Sequence, residues 1–153
     1  MLSESDQIQK LTFVLNYGGS KCEILQLKAY ARQKLGSRQL VFLEENMSYA
    51  DFVGLVREHS ALIYNHYRQQ GIGTLNIALH FGLKVFVRSD CSTFPSYRAW
   101  GIQLGDTCQL VEHDFKCDDI DLLVRNRGIL KEKFHPESCA KKFNELFLSK
   151  LSS

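Results

Sequence analysis

The chain has 153 residues, 44% of them hydrophobic and 24% charged, with a formal net charge of +2. This length suits one domain able to bury a sizeable core, and the composition excludes a disordered chain. The small net charge excludes the basic footprint of a nucleic-acid protein, so no nucleic-acid partner is expected.

The first apolar run, Leu11 to Tyr17, reads as a buried strand stopped by Gly18-Gly19. Ser20 then caps a helix in which Ile24, Leu27, Ala31 and Leu35 recur at helical spacing, ended by Gly36. Arg38 to Leu43 is a second strand. Ser48 begins the next helix, with Asp51 placed to support a capping box and Phe52, Leu55 and Val56 as its buried stripe. Ala61 to Tyr64 is a short third strand. A third helix opens at Gln70-Gly71-Ile72-Gly73, buries Ile72, Leu75, Ala78 and Leu79, and closes at Gly82. Leu83 to Val87 is a fourth strand, Ser92 to Trp100 a short helix, and Ile102 to Val111 a weak final strand. Two helices follow, near Asp118 to Lys131 and from Pro136 to Leu151, the second lined by Cys139, Phe143, Leu146 and Phe147.

Strand and helix alternate four times through short connections, which implies an α/β fold: a Rossmann-like, doubly wound parallel sheet with helices on both faces. One domain over residues 1–153 is expected, with 1–10 flexible and 118–151 forming the C-terminal helices. Five cysteines (Cys22, Cys91, Cys108, Cys117, Cys139) are odd in number and scattered without a C-x-x-C pair. That argues against zinc and a closed disulfide framework, and for free thiols of a reducing compartment. Met1 to Asp6 lacks the basic start of a signal peptide, and no apolar run approaches the ~20 residues that cross a bilayer. A cytoplasmic protein without metal or cofactor is expected.

In such sheets ligands bind beyond the carboxyl ends of the strands, where helix N-termini point. Tyr64 to Thr74, YNHYRQQGIGT, is the most informative stretch there. Asn65, His66, Arg68, Gln69 and Gln70 stand where a connector of small polar residues would suffice. Gly71 and Gly73 admit a ligand to the backbone, and a helix N-terminus offers N–H groups and a positive dipole end. Arg68 supplies a bidentate phosphate contact and the glutamines further hydrogen bonds. The competing reading is that the glycines serve helix–sheet packing and the polar groups are solvated. Asn16-Tyr17-Gly18-Gly19-Ser20 is a second glycine turn with the same two readings. Neither G-x-G-x-x-G nor the Walker G-x-x-x-x-G-K-[ST] occurs, which lowers NAD binding and ATP hydrolysis as explanations. Glu44-Glu45-Asn46 reads as a solvated loop, Ser92 in Arg88 to Thr93 as a helix cap, and Asp118, Asp119 and Asp121 as a cap rather than a metal site. No catalytic residue is legible.

The segments LNYGGS, EENMSYADFVGLV and ALIYNHYRQQGIGTLNIALHFGLKVFV together resemble one family. It is that of the TDP-N-acetylfucosamine:lipid II N-acetylfucosaminyltransferases (4-α-L-fucosyltransferases, glycosyltransferase family 56), in its C-terminal half. The resemblance runs from about Leu11 to Leu104 and is most specific from Asn65 to Gly73. It implies a Rossmann-like domain of a GT-B enzyme that binds a nucleotide sugar without a metal. It also implies transfer to a lipid-linked acceptor in enterobacterial common antigen synthesis, with at most peripheral contact at the inner membrane face. Asn16, Tyr17 and Gly18 would lie near the donor diphosphate, and Arg68, Gln69, Gln70 and Gly73 would hold its phosphate or sugar. The family's acceptor-binding N-terminal domain has no counterpart here. A separate N-terminal half or a homodimer partner is therefore expected, the alternative being a non-catalytic interaction module.

Overall fold

The computed structural model describes residues 8–16, 19–36, 38–112 and 119–151. Its elements run β1 (Lys10–Val14), α1 (Lys21–Leu35), β2 (Gln39–Leu43), α2 (Tyr49–Arg57), β3 (Ala61–Tyr64) and α3 (Ile72–Phe81). They continue through β4 (Lys84–Val87), α4 (Thr93–Ala99), β5 (Gly105–Asp106), a 3-10 helix (Thr107–Glu112), α5 (Ile120–Phe134) and α6 (Pro136–Leu151). Every described ladder is parallel: Lys10 to Val14 faces Gln39 to Leu43, Ala61 to Tyr64 faces Lys84 to Val87, and Phe86 and Val87 face Gly105 and Asp106. Parallel neighbours need crossovers, and the helices supply them, giving the Rossmann-like α/β architecture.

The ladders fall into two groups, β1–β2 and β3–β4–β5. Side chains from the end of α2 link them. Lys10 Nζ pairs with Glu58 at 3.2 Å, and Thr12 Oγ1 lies 2.9 Å from His59 Nε2. His59 Nδ1 is 2.8 Å from the Leu55 carbonyl, which only accepts. Nδ1 therefore carries the proton, and in the neutral ring Nε2 accepts from the Thr12 hydroxyl.

The helix starts follow their cap chemistry. Ser20 Oγ accepts from the Glu23 amide at 3.3 Å, while Glu23 Oε2 accepts from the Ser20 amide at 2.6 Å, a reciprocal capping box. The hydrogen bond from the Ser20 backbone, followed by that of its hydroxyl, holds the Glu23 carboxyl below its ordinary range. Ser48 caps α2 by accepting from the Asp51 amide at 3.2 Å and donating to the Asp51 carboxylate at 2.6 Å.

The core lies on the β3–β4–β5 side. Val56 of α2, Leu75, Ala78 and Leu79 of α3, Val85 and Val87 of β4, Tyr97 of α4, Ile102, Leu104 and Leu130 of α5 form one buried cluster. Strand alternation sends Phe86 to the other face of β4. There it is fully buried against Gly105, where an added Cβ would sit 2.3 Å from the ring. Buried Asn126 of α5 accepts from the Gln103 amide and donates to the Gln103 carbonyl, both at 3.0 Å. The Tyr97 hydroxyl donates to Asn76 Oδ1 at 2.6 Å, and burial pushes its pKa up to about 12.

Several expectations shift. β1 ends at Val14, and β5 is only Gly105–Asp106, because the chain turns at once into the 3-10 helix. Of the α1 stripe, Ala31 is buried, Ile24 and Leu35 are half-buried, and Leu27 is exposed. The cations Lys28 and Arg32 cover the Phe42 ring instead, and that ring stacks on Phe13. Ser92 occupies the first position before α4 without a side-chain cap, whereas Asp119 caps α5 through the Leu122 amide at 2.8 Å. Cys22, Cys91, Cys108 and Cys139 are free thiols. Cys117, Asp118, Tyr17, Gly18 and most of the segment 1–10 lie outside the described residues; Lys10 already belongs to β1.

Candidate functional site

The carboxyl ends of β3, β4 and β5 carry a connected group of polar side chains. Asn65 follows β3, and its Oδ1 accepts from Thr107 Oγ1 at 3.1 Å and from Arg88 Nη1 at 3.4 Å. Arg88 follows β4 and grips Asp90 by two bonds, Nε to Oδ1 at 2.8 Å and Nη2 to Oδ2 at 2.6 Å. The Tyr67 ring, 77% exposed, lies over the Arg88 guanidinium with its centroid 3.9 Å away. Asp106, the last residue of β5, accepts from the Ser89 amide at 3.2 Å and the Cys108 amide at 2.9 Å.

The electrostatics follow from these contacts. The hydrogen-bonded Asp90 carboxylate raises the Arg88 pKa, and Arg88 holds Asp90 below the usual carboxylate range. Burial pushes Asp106 upward, but the Cys108 and Ser89 hydrogen bonds together outweigh it and leave the carboxyl lowered.

The loop between β3 and α3 closes at Gly71, in the left-handed region at φ 63° and without a side chain to cap the helix. The Tyr64 phenol fills the space where a side chain would go: a Cβ at Gly71 would lie 1.4 Å from its hydroxyl. His66 meets the Tyr64 ring edge-on at 4.6 Å. Gly73, one position into the first turn of α3, is different, since a Cβ there would meet nothing within 4 Å. Packing thus requires Gly71 but not Gly73.

The structure joins Asn65 to this group through Arg88 and Thr107, whereas His66 and Gly71 pack against Tyr64, the last residue of β3. Arg68 and Gln69 are exposed and Gln70 is half-buried, and Arg68 has no ion-pair partner among the described residues. Asn16, after β1, donates to Asn46 Oδ1 at 2.9 Å, while its own Oδ1 is buried without a partner among the described residues. Glu44 forms an ion pair with Lys28. An open pocket lined by Arg98, Gly101, Ile102, Gln103 and Arg125 lies before β5, at the opposite end of that strand. Among the described residues no group of three His, Cys, Asp or Glu is placed to hold a metal, and no helix is long and apolar enough to cross a membrane.

Sequence reasoning did not single out Tyr67, Asp106 or Thr107, and saw Arg88 and Asp90 only as part of a loop. The Arg-x-Asp spacing directly after an apolar strand was the one available signal for that pair.

Residues 8–94, more than half of the chain and reaching from before β1 into α4, match the family model described as 4-alpha-L-fucosyltransferase glycosyl transferase group 56. The chain belongs to this family. It is thus a fucosyltransferase-type glycosyltransferase, and the family match includes the Asn65–Gly73 loop, Arg88 and Asp90 but stops short of Asp106 and Thr107. Neither the curated proteins nor the solved structures gave a match.

Proposed function

We propose that the chain binds a TDP-linked deoxyamino sugar, such as TDP-N-acetylfucosamine, as donor for transfer to a lipid-linked glycan acceptor in cell-surface polysaccharide synthesis. The observation that carries this reading is the loop Asn65 to Gly73 in a member of a fucosyltransferase family. It ends on an uncapped helix start, presents an exposed cation at Arg68, and keeps a glycine at position 73 that packing does not need. A backbone bare at that point admits a phosphate oxygen close to the first-turn amides.

In this reading Asn16, Tyr17 and Gly18 approach the diphosphate from the β1 turn, while Asn65, His66, Gln69, Gln70 and Gly71 shape the loop around phosphate and sugar. During transfer the bond between the sugar's anomeric carbon and the diphosphate oxygen breaks, and the acceptor oxygen forms the new bond. Negative charge gathers on the departing nucleoside diphosphate, where fixed N–H donors stabilise it. The acceptor's proton goes to a base that none of these residues is assigned to be. The part proposed for these residues is donor recognition at the cytoplasmic side.

Calorimetric titration with TDP and its sugar conjugate tests the reading. Binding in the micromolar to millimolar range is expected. Arg68→Ala should weaken it about tenfold, the worth of one charge-assisted contact at an exposed position. Equal affinity of the variant removes Arg68 from the site, and failure of every nucleotide sugar to bind favours a non-catalytic interaction module.

A further inference from the structure

We propose that Arg88 is the fixed anchor of the donor's diphosphate, its guanidinium positioned by Asp90 and Tyr67. This rests on the nucleotide-sugar reading above.

A guanidinium has five N–H donors. Asp90 takes two and Asn65 a third, which leaves two without a described partner at the carboxyl end of β4. The Arg88 side chain is only 16% exposed, and the Tyr67 ring covers one face of its plane. The group is therefore held in one orientation before any ligand arrives. Such pre-organisation removes the side-chain ordering that an exposed arginine such as Arg68 must undergo on binding. Asn65 ties this cation to the first residue of the β3–α3 loop, so the two unused donors stand beside the segment proposed to hold the donor. Asp90 does not compete for them, since both its oxygens already face Nε and Nη2. The Asp106 carboxylate accepts two backbone amides, both at Oδ1, and none of its described contacts is with Arg88. A planar fork suits two phosphate oxygens, which a lysine meets only as a point charge.

The test compares thymidine diphosphate with thymidine in titrations of the wild-type chain and of Arg88→Lys. Loss of the fork should weaken thymidine diphosphate binding roughly 10- to 100-fold, while thymidine affinity changes less than about twofold. On the unaltered protein, the Arg88 guanidinium NMR resonances should shift with thymidine diphosphate and not with thymidine; this decides the matter if Arg88→Lys does not fold. Unchanged diphosphate affinity, unmoved Arg88 resonances, or equal losses for both ligands overturn the anchor while the donor reading stands. Absence of diphosphate binding by the wild-type chain overturns both.

Discussion

A methyl group placed at Gly71 meets two obstacles at once. The φ of 63° costs an L-residue roughly 1 kcal/mol, and the new Cβ would sit 1.4 Å from the Tyr64 hydroxyl. Gly71→Ala should therefore destabilise the fold by roughly 2–4 kcal/mol, the range of overpacked sites with added backbone strain. Placed on a Tyr64→Ala background, the same substitution should cost only the backbone share, about 1 kcal/mol. Denaturant unfolding of the four proteins reads the coupling directly, and additive costs would show that the ring is not what excludes the methyl. At this scale the sequence reads Gly71 and Gly73 alike, as room for a ligand or as helix–sheet packing, whereas the structure gives Gly71 a packing duty that depends on Tyr64 and leaves Gly73 open. Nothing in a run of residues distinguishes two glycines whose difference is a ring seven positions upstream of one of them. Asn65 was legible as a polar residue out of place, but its bonds reach residues 23 and 42 positions away.

Elements were more legible where local chemistry alone decides them. Ser20 and Ser48 bond backbone amides three residues on, so their helix starts are visible in the chain itself. Of the α1 stripe only Leu27 turns outward, and the neighbouring Phe42 ring is covered by the charged ends of Lys28 and Arg32, which binary patterning scores as solvent-facing. The final strand was overextended for a related reason. Ile102 and Leu104 are buried as a strand would bury them, but the backbone before β5 is held by Asn126 of α5 rather than by a ladder. Asn126 thus acts as a strand edge supplied by a helix. Asn126→Ala should cost roughly 2–3 kcal/mol, since both Gln103 groups lose a partner in a half-buried setting. Asn126→Asp keeps the acceptor for the Gln103 amide but cannot donate to its carbonyl. Thermal melts should rank wild type above both variants. A melting point for Asn126→Ala within a degree of wild type would show that water replaces both bonds without loss.

Across the whole molecule, burial is uneven in a way that bears on where a ligand can be held. Every residue of the main buried cluster lies between Val56 and Leu130, whereas Ala31 is the one buried hydrophobic residue described before Val56. The β1–β2 pair is joined to the rest through Lys10–Glu58 and Thr12–His59, the first a surface ion pair of little worth. Local opening should then be cheaper for β1, β2 and α1 than for α3 and β4, because it exposes less apolar surface. In native-state hydrogen exchange, amides of Leu11–Val14 and Val41–Leu43 should open at least about 2 kcal/mol more readily than those of Val85–Val87 and Leu75–Leu79. Equal protection would mean that the two ladders unfold as one unit. The Asn16 turn follows the softer pair, while Asn65, Arg88 and Thr107 follow the strands packed on the cluster. A diphosphate anchored at Arg88 and reached by the β1 turn should therefore slow exchange most in β1 and β2, the elements with the most freedom left to lose. Protection gained only around β4 would instead confine the donor to the rigid side of the fold.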